Sequence, residues 1–216
     1  MVGMALNEGF EFRERLGSDA EAAPLLDYLT RRYTHSSESA WRERTEAGMV
    51  ILDSKPARPG SPLRHAQILV WRRPAWDEPD LAESFAVLYD DEDLLAVAKP
   101  AGLPTLPGGG FLQTTLLHRV RLYAPEAHPL HRLGRWTSGI VLFARTRQAR
   151  AELTRQWAAQ EVGKRYRALV SGDPAAQEFT VSDPIGRVPH DLLGSVHAAA
   201  PNGRPSSTHV TVLERR

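Results

Sequence analysis

Three short apolar runs, at residues 85–89, 94–98 and 140–144, do most to limit what this chain can become. Each has the length of a strand, whereas apolar residues recur at helical spacing over 111–123 and 147–160. Further strands are predicted near 166–170 and 209–213, and the mixture gives an α+β fold. Asp90, Asp91, Glu92 and Asp93 lie between the first two runs and read as a hairpin turn. A metal reading of these four acids is the weaker one, because consecutive turn residues point in different directions and a cation needs converging oxygens.

The first third of the chain has its own pattern. Ser18 followed by Glu21 forms a capping-box signal ahead of Ala22, Leu25, Leu26 and Leu29, which predicts a helix over 19–32. A second helix over 38–47 stops at Gly48, and strands are expected at 49–53 and 66–72 around a Pro/Gly-rich connection. Residues 1–76 are therefore expected to form a small helix-helix-hairpin module. Residues 77–93 hold eight acidic side chains and no basic one, and with Pro74 and Pro79 nearby, 77–84 reads as an acidic linker. A second domain over 85–216 follows.

The chain has no cysteine, which rules out disulfides, thiolate zinc sites and thiol nucleophiles within these residues. It shows no apolar run of about 18 residues and no signal-peptide pattern, so a soluble, cytoplasmic protein is expected, with no membrane partner. The net charge of +1 hides an asymmetry. Residues 1–98 carry 11 basic against 18 acidic side chains, and residues 99–216 carry 16 against 8. Arginine supplies 24 of the 27 basic residues, and its planar fork suits phosphates and stacked bases. Charge alone leaves two readings open: a polyanion surface, or solvated helix faces written in arginine-rich codons.

Several segments have the makings of chemistry. Lys99-Pro100-Ala101-Gly102-Leu103-Pro104 is a stiff turn after a strand, and it would hold Lys99 where a phosphate could meet it. Gly108, Gly109 and Gly110 could wrap a phosphate but lack the Gly-Lys-Ser/Thr ending of a nucleotide loop, so a flexible turn is the simpler reading. The densest polar stretch is His131-Arg132-Leu133-Gly134-Arg135-Trp136-Thr137-Ser138-Gly139, set directly before the 140–144 run. Arginines beside an indole can hold unpaired or flipped bases, and the same residues could simply cap the strand. Ser138 lacks the flanking glycine of a nucleophile elbow, and His118, His128 and His131 have no metal-ligand spacing. No metal site is expected.

The string HRLGRWTSGIVLFART resembles the signature of the RluA-type pseudouridine synthases, in which an aspartate follows His-Arg-Leu and Thr-Ser-Gly precedes a core strand. DEDLLAVAKPAGLPTLPGG resembles that family's strand, lysine-proline-x-glycine turn and glycine-rich loop, GKRYRALVSGD its Lys-x-Tyr strand and DPIGR the following turn. The N-terminal unit, with Trp41, Gly48 and the RRPAWDEP ending, loosely resembles the small RNA-binding module often fused ahead of it, so that the resemblance runs from about residue 38 to the end. The resemblance implies a mainly antiparallel sheet of pseudouridine-synthase type flanked by helices. It implies RNA as partner, no cofactor, and isomerisation of uridine in rRNA or tRNA. By motif position, Gly134 stands where the family has its catalytic aspartate and Tyr166 where it has the tyrosine that stacks on the target base. Lys99, His131, Arg132, Arg135, Trp136, Thr137 and Lys164 are the matching RNA-contact candidates.

Two departures follow from the same match. Gly134 brings no side chain, although a subgroup of RluA-like sequences resembles this chain in reading His-Arg-Leu-Gly-Arg; Asp183 and Asp191 are the nearest downstream carboxylates that could substitute. The family also continues beyond the point matching Arg216 into a segment whose arginine pairs with the aspartate. A C-terminally shortened form with an open sheet edge is thus expected, one that a second copy or a partner chain would complete. The alternative to an enzyme is an inactive RNA-binding relative.

Overall fold

The computed structural model describes residues 4–79, 81, 84–192 and 194–215. Parts of the expected linker, at 80, 82 and 83, and the final Arg216 lie outside the described residues. The chain forms two compact units, Met1–Val162 and Gly163–Arg216. Both are α+β or β in content, and every described strand ladder is antiparallel.

In the first unit the elements run β1 (Met4–Leu6), β2 (Phe10–Arg15), α1 (Leu25–Arg32), α2 (Glu38–Glu46), β3 (Val50–Leu52), β4 (Lys55–Pro56), β5 (Ile68–Arg73) and β6 (Asp77–Pro79). After these come β7 (Ala86–Asp90), β8 (Leu94–Lys99), α3 (Leu116–Tyr123), β9 (His128–Pro129), β10 (Gly139–Ala144) and α4 (Arg147–Ala158). A sheet of order β2-β5-β3-β4 carries α1 and α2, and a second sheet of order β7-β8-β10-β9 packs with α3 and α4.

The expected helix over 19–32 is shorter than its capping signal suggested. Ser18–Ala20 is a single 3-10 turn, Ala22 adopts a left-handed φ of 60°, and α1 starts only after Pro24. Glu21 does not close a capping box; its carboxylate accepts a hydrogen bond from the His65 backbone N–H at 2.8 Å. Once begun, α1 buries Leu25, Leu26, Tyr28 and Leu29 on one face and ends in Arg31 and Arg32, which suit the helix C-terminus. Helix α2 is capped by Ser37 Oγ, which accepts from Ala40 N, and buries Trp41 and Thr45 one turn apart. These side chains join Leu16, Val50, Leu52, Leu63 and Leu69 in one core.

A separate core lies under β8 and β10, where Leu95, Val97, Val141 and Phe143 meet Leu116 and Val120 of α3. Helix α3 begins later than its apolar pattern, at Leu116, because Thr115 Oγ1 caps it and residues 111–115 form a loop. The acidic turn between β7 and β8 is closed by Asp91, whose carboxylate accepts from the backbone N–H groups of Asp93 and Leu94 at 2.9 and 2.7 Å. Asp91 is thus engaged within the turn, and among the described residues no group of three or more His, Cys, Asp or Glu is placed to hold a metal ion.

The second unit holds β11 (Glu178–Val181), β12 (Ile185–His190), β13 (Gly194–Ala199) and β14 (Thr208–Thr211), paired as β11-β14 and β12-β13. The strand expected at 166–170 does not form: no ladder engages these residues, so their backbone lacks the neighbour that would make them a strand. No helix among the described residues is long and apolar enough to cross a membrane.

The segment expected as a linker begins with structure. Strand β6 pairs with β1, and Glu78 is 1% exposed. Its carboxylate accepts from Asn7 Nδ2 at 2.5 Å and from the backbone N–H groups of Gln113 and Thr114 at 3.1 and 2.9 Å. Burial pushes this acid up, but the donors at Thr114, Leu112, Asn7 and Gln113 together outweigh it and hold the carboxyl below its ordinary range. Glu78 thereby ties the chain's first strand to the loop that leads into α3. Because the folded state favours ionised Glu78, its contribution is complete above the unfolded carboxylate value of about 4.3 and is lost as pH falls through the lower folded value. Glu78→Gln is expected to cost about 1–3 kcal/mol at neutral pH in urea titration and to flatten the loss of stability on acidification below pH ~4.

Candidate nucleic-acid site

The 131–139 loop is not held by its own side chains alone. Lys99, at the end of β8, is 1% exposed, and its ammonium donates to the carbonyls of Pro100, Leu103 and Arg135 at 2.7, 2.7 and 3.0 Å. The turn after β8 and the motif loop are thereby tied to one cation. Around it, Gly102 N donates to Arg135 O at 2.8 Å, and Arg135 Nε returns a bond to Gly102 O at 2.9 Å. Gly102 sits at φ 89°, a left-handed conformation that glycine permits, while a Cβ there would only reach ordinary contact with the Trp136 ring at 3.6 Å. Thr105, 3% exposed, donates from Oγ1 to Leu133 O at 2.8 Å and accepts from Leu133 N at 3.2 Å.

Lys99 was expected at a phosphate. The structure puts it in the interior, where its ammonium donates to backbone carbonyls and so positions the loop. The short turn that places it was visible in the sequence; its direction was not.

Arg135 stands between two aromatic rings, its guanidinium 4.6 Å from the Phe111 centroid and 4.9 Å from Trp136. Trp136 is 74% exposed and presents a large ring to solvent. Phe111 is brought there by the glycine triplet: Gly108, Gly109 and Gly110 all have positive φ, and Gly108 and Phe111 exchange two backbone hydrogen bonds. The triplet is thus a tight turn that aims a ring. Neither Phe111 nor Thr105 was singled out from sequence.

Gly134 is exposed, and its carbonyl accepts from Thr137 N at 3.1 Å, closing a turn with Arg135 and Trp136 at its tip. Its φ is not in the left-handed region, and a Cβ built there has only Thr137 Oγ1 within reach, at 3.4 Å. The backbone would accept a side chain pointing into open space. Arg132 and Thr137 are exposed. His131 is set back from solvent: its Nε2 accepts from Leu142 N at 3.1 Å, and its ring stacks on Trp157 at 4.6 Å, an α4 residue the sequence reading passed over.

Tyr166, 63% exposed, and exposed Lys164 belong to the second unit and are described there by themselves. Asp183 and Asp191 are likewise exposed residues of that unit.

The model of the RNA pseudouridylate synthase family matches residues 93–216. An uncharacterized RNA pseudouridine synthase of Synechocystis is 38% identical over 88% of this chain and 66% of its own length. RNA pseudouridine synthase 5 of Arabidopsis thaliana is 33% identical over 97% of this chain and 66% of its own length. A ribosomal large subunit pseudouridine synthase D of Neisseria meningitidis is 34% identical over 91% and 53% respectively. The chain therefore spans no more than about two thirds of the length of these relatives. Among solved structures, human RNA pseudouridylate synthase domain containing 1 aligns with a TM-score of 0.50 and 27% identity, covering 63% of this chain and 55% of the other.

Replacing Lys99 by Met leaves buried carbonyls without a donor and should destabilise the protein by about 3 kcal/mol in urea titration. Trp136→Ala, at an exposed ring, should change stability by less than about 0.5 kcal/mol in the same assay.

Proposed function

Because this chain belongs to the RNA pseudouridylate synthase family, we propose that it isomerises uridine within structured RNA, rRNA or tRNA. The observation that carries this reading is the motif loop itself. Lys99 and Thr105 fix its backbone, and it turns Trp136 outward with the ring-flanked Arg135 beside it. An exposed indole offers a face to an unstacked base, and a guanidinium held between rings keeps donors for phosphate or base oxygens. Arg132 and Thr137 flank that surface, and Tyr166 and Lys164 of the second unit are proposed as further RNA contacts. Residues 1–76 are proposed as an RNA-binding module.

The isomerisation needs no oxidant or group donor. The N1–C1′ bond of uridine breaks, a C5–C1′ bond forms, the C5 proton is lost and N1 gains one. A reaction that needs no cofactor, on a chain without cysteine, fits a cytoplasmic setting where RNA is matured.

Gly134 favours a second reading. With no carboxylate at this position, the usual nucleophile is absent, and a substitute displaced by about 1 Å can cost on the order of a hundredfold in rate. A chain that binds RNA on the same loop without turnover is consistent with that geometry.

Tritium release from RNA labelled at uridine C5 separates the two. Release by the unaltered chain, abolished by mutating Asp183 or Asp191, would establish the enzyme with a displaced acid. Release only from Gly134→Asp, whose side chain has room, would establish the binding protein. Silence from both, with RNA bound, would contradict the isomerase reading.

A further inference from the structure

A second group of exposed rings lies on the helix-bearing face of the β2-β5-β3-β4 sheet. Phe10 and Phe12 are 45% and 43% exposed although they are large and apolar. Their rings pack edge to face at 4.8 Å, and Phe12 stacks on Trp71 of the paired strand at 5.1 Å and 18°. His35 continues the row, 5.9 Å from Trp71. Trp71 is held without a side-chain hydrogen bond, its Nε1 being buried with no partner among the described residues.

Two arginines stand at this row, one of them over Trp71. The Arg44 guanidinium lies 4.8 Å from Trp41 and 4.9 Å from Trp71, and Arg73 sits opposite Phe10 in the strand register and 3.4 Å over Trp76. Neither Arg44 nor Arg73 is ion-paired with a carboxylate among the described residues. The acids of β2 are occupied elsewhere, Glu11 by Arg13 and Arg72, Glu14 by Arg32 and Tyr33. Burial, then Arg44 and Arg73, hold the His35 imidazole below its ordinary range, and burial and Arg44 do the same to Arg73 against the pull of Glu78. Like charges therefore press on one another here, and an anion would relieve them.

We propose that this rim, Phe10, Phe12, Trp71, His35, Arg44 and Arg73, is a platform for unpaired nucleotides of the RNA, with bases on the rings and phosphates on the two arginines. The proposal rests on the RNA-acting reading above and names a second contact surface for it. Stacked bases match rings of any sequence, and guanidinium forks match phosphate. A second copy of this chain fits less well, because a two-fold contact would set Arg44, Arg73 and His35 against their own equivalents. The rim also leads toward the motif loop. Trp76, under Arg73, donates from Nε1 to Gly110 O at 2.6 Å, and the next residue, Phe111, is the ring against Arg135. A strand of RNA crossing that line would meet rings and guanidinium groups in alternation.

Anisotropy of fluorescein-labelled oligouridylate tests this, with salt varied and turnover not required. The Arg44→Gln/Arg73→Gln double variant should bind about tenfold more weakly, with the log–log salt slope reduced by about 1.4, the value for two phosphate contacts on a single strand. Phe12→Ala should weaken binding by about tenfold with the slope unchanged. Circular dichroism checks folding, and Phe10→Ala, at the outer edge of the row, gives an independent reading if Phe12→Ala unfolds. Binding by all folded variants equal to the unaltered chain, with Trp136→Ala alone impaired, would overturn the platform and leave the motif-loop reading standing. No binding by the unaltered chain would overturn both. Weaker binding by the rim variants in a chain without tritium release would uphold the platform and remove only the isomerase. Unchanged RNA binding with self-association abolished by Phe12→Ala would give the surface to a second copy and overturn the inference.

Discussion

The buried ammonium of Lys99 is the contact on which the candidate site depends. A charged group 1% exposed is costly to desolvate, and here the cost is offset by three backbone carbonyls drawn from the turn after β8 and from the motif loop. One of those carbonyls belongs to Arg135. The cation therefore does for two loops what a ladder does for strands: it satisfies backbone acceptors and fixes separation. Once the Arg135 backbone is fixed, its side chain has few choices. It returns to Gly102 and lies between Phe111 and Trp136, and the indole faces outward.

Glu78 plays the matching part with the opposite charge. Its carboxylate collects backbone N–H groups ahead of α3 together with the Asn7 amide, so residues more than a hundred positions apart in the first unit share one acceptor. The two hydrophobic cores of that unit are separate clusters of buried side chains, one around Trp41 and one around Phe143. Polar contacts at Asn7, Trp76 and Glu78 run alongside them, and the same stretch carries Arg73 and Trp76 past the rim of rings toward Gly110. Packing, charge and the presentation of aromatic surface are thus settled by a handful of buried polar groups.

Much of the fold was legible because periodicity reports burial. The runs at 94–98 and 140–144 became β8 and β10, and the spacing at 147–160 became α4, starting at Arg147 behind a Thr146 cap. Failures came where burial and local pattern part company. The capping-box signal at Ser18 gave way to Pro24, which sets a later helix start, and Glu21 was drawn off by the His65 amide. FEFRER in β2 alternates rings with charges, a strand signal masked by its polarity, and it carries half of the exposed aromatic row. The run at 166–170 has strand composition but no ladder, since pairing is a property of neighbours and not of a segment. At the site, the motif string located the loop and its exposed residues. It could not show that Lys99 turns inward, nor that Phe111, distant in sequence, completes the stack on Arg135.

Hydrogen–deuterium exchange of the full chain with and without a uridine-containing stem-loop RNA tests the central claim most directly. If the Lys99-anchored loop is where RNA sits, peptides covering 99–105 and 131–138 should exchange more slowly in the complex, while those covering the β3 and β8 cores stay unchanged. Slowing confined to other segments, with these two peptides unaffected at saturating RNA, would contradict it.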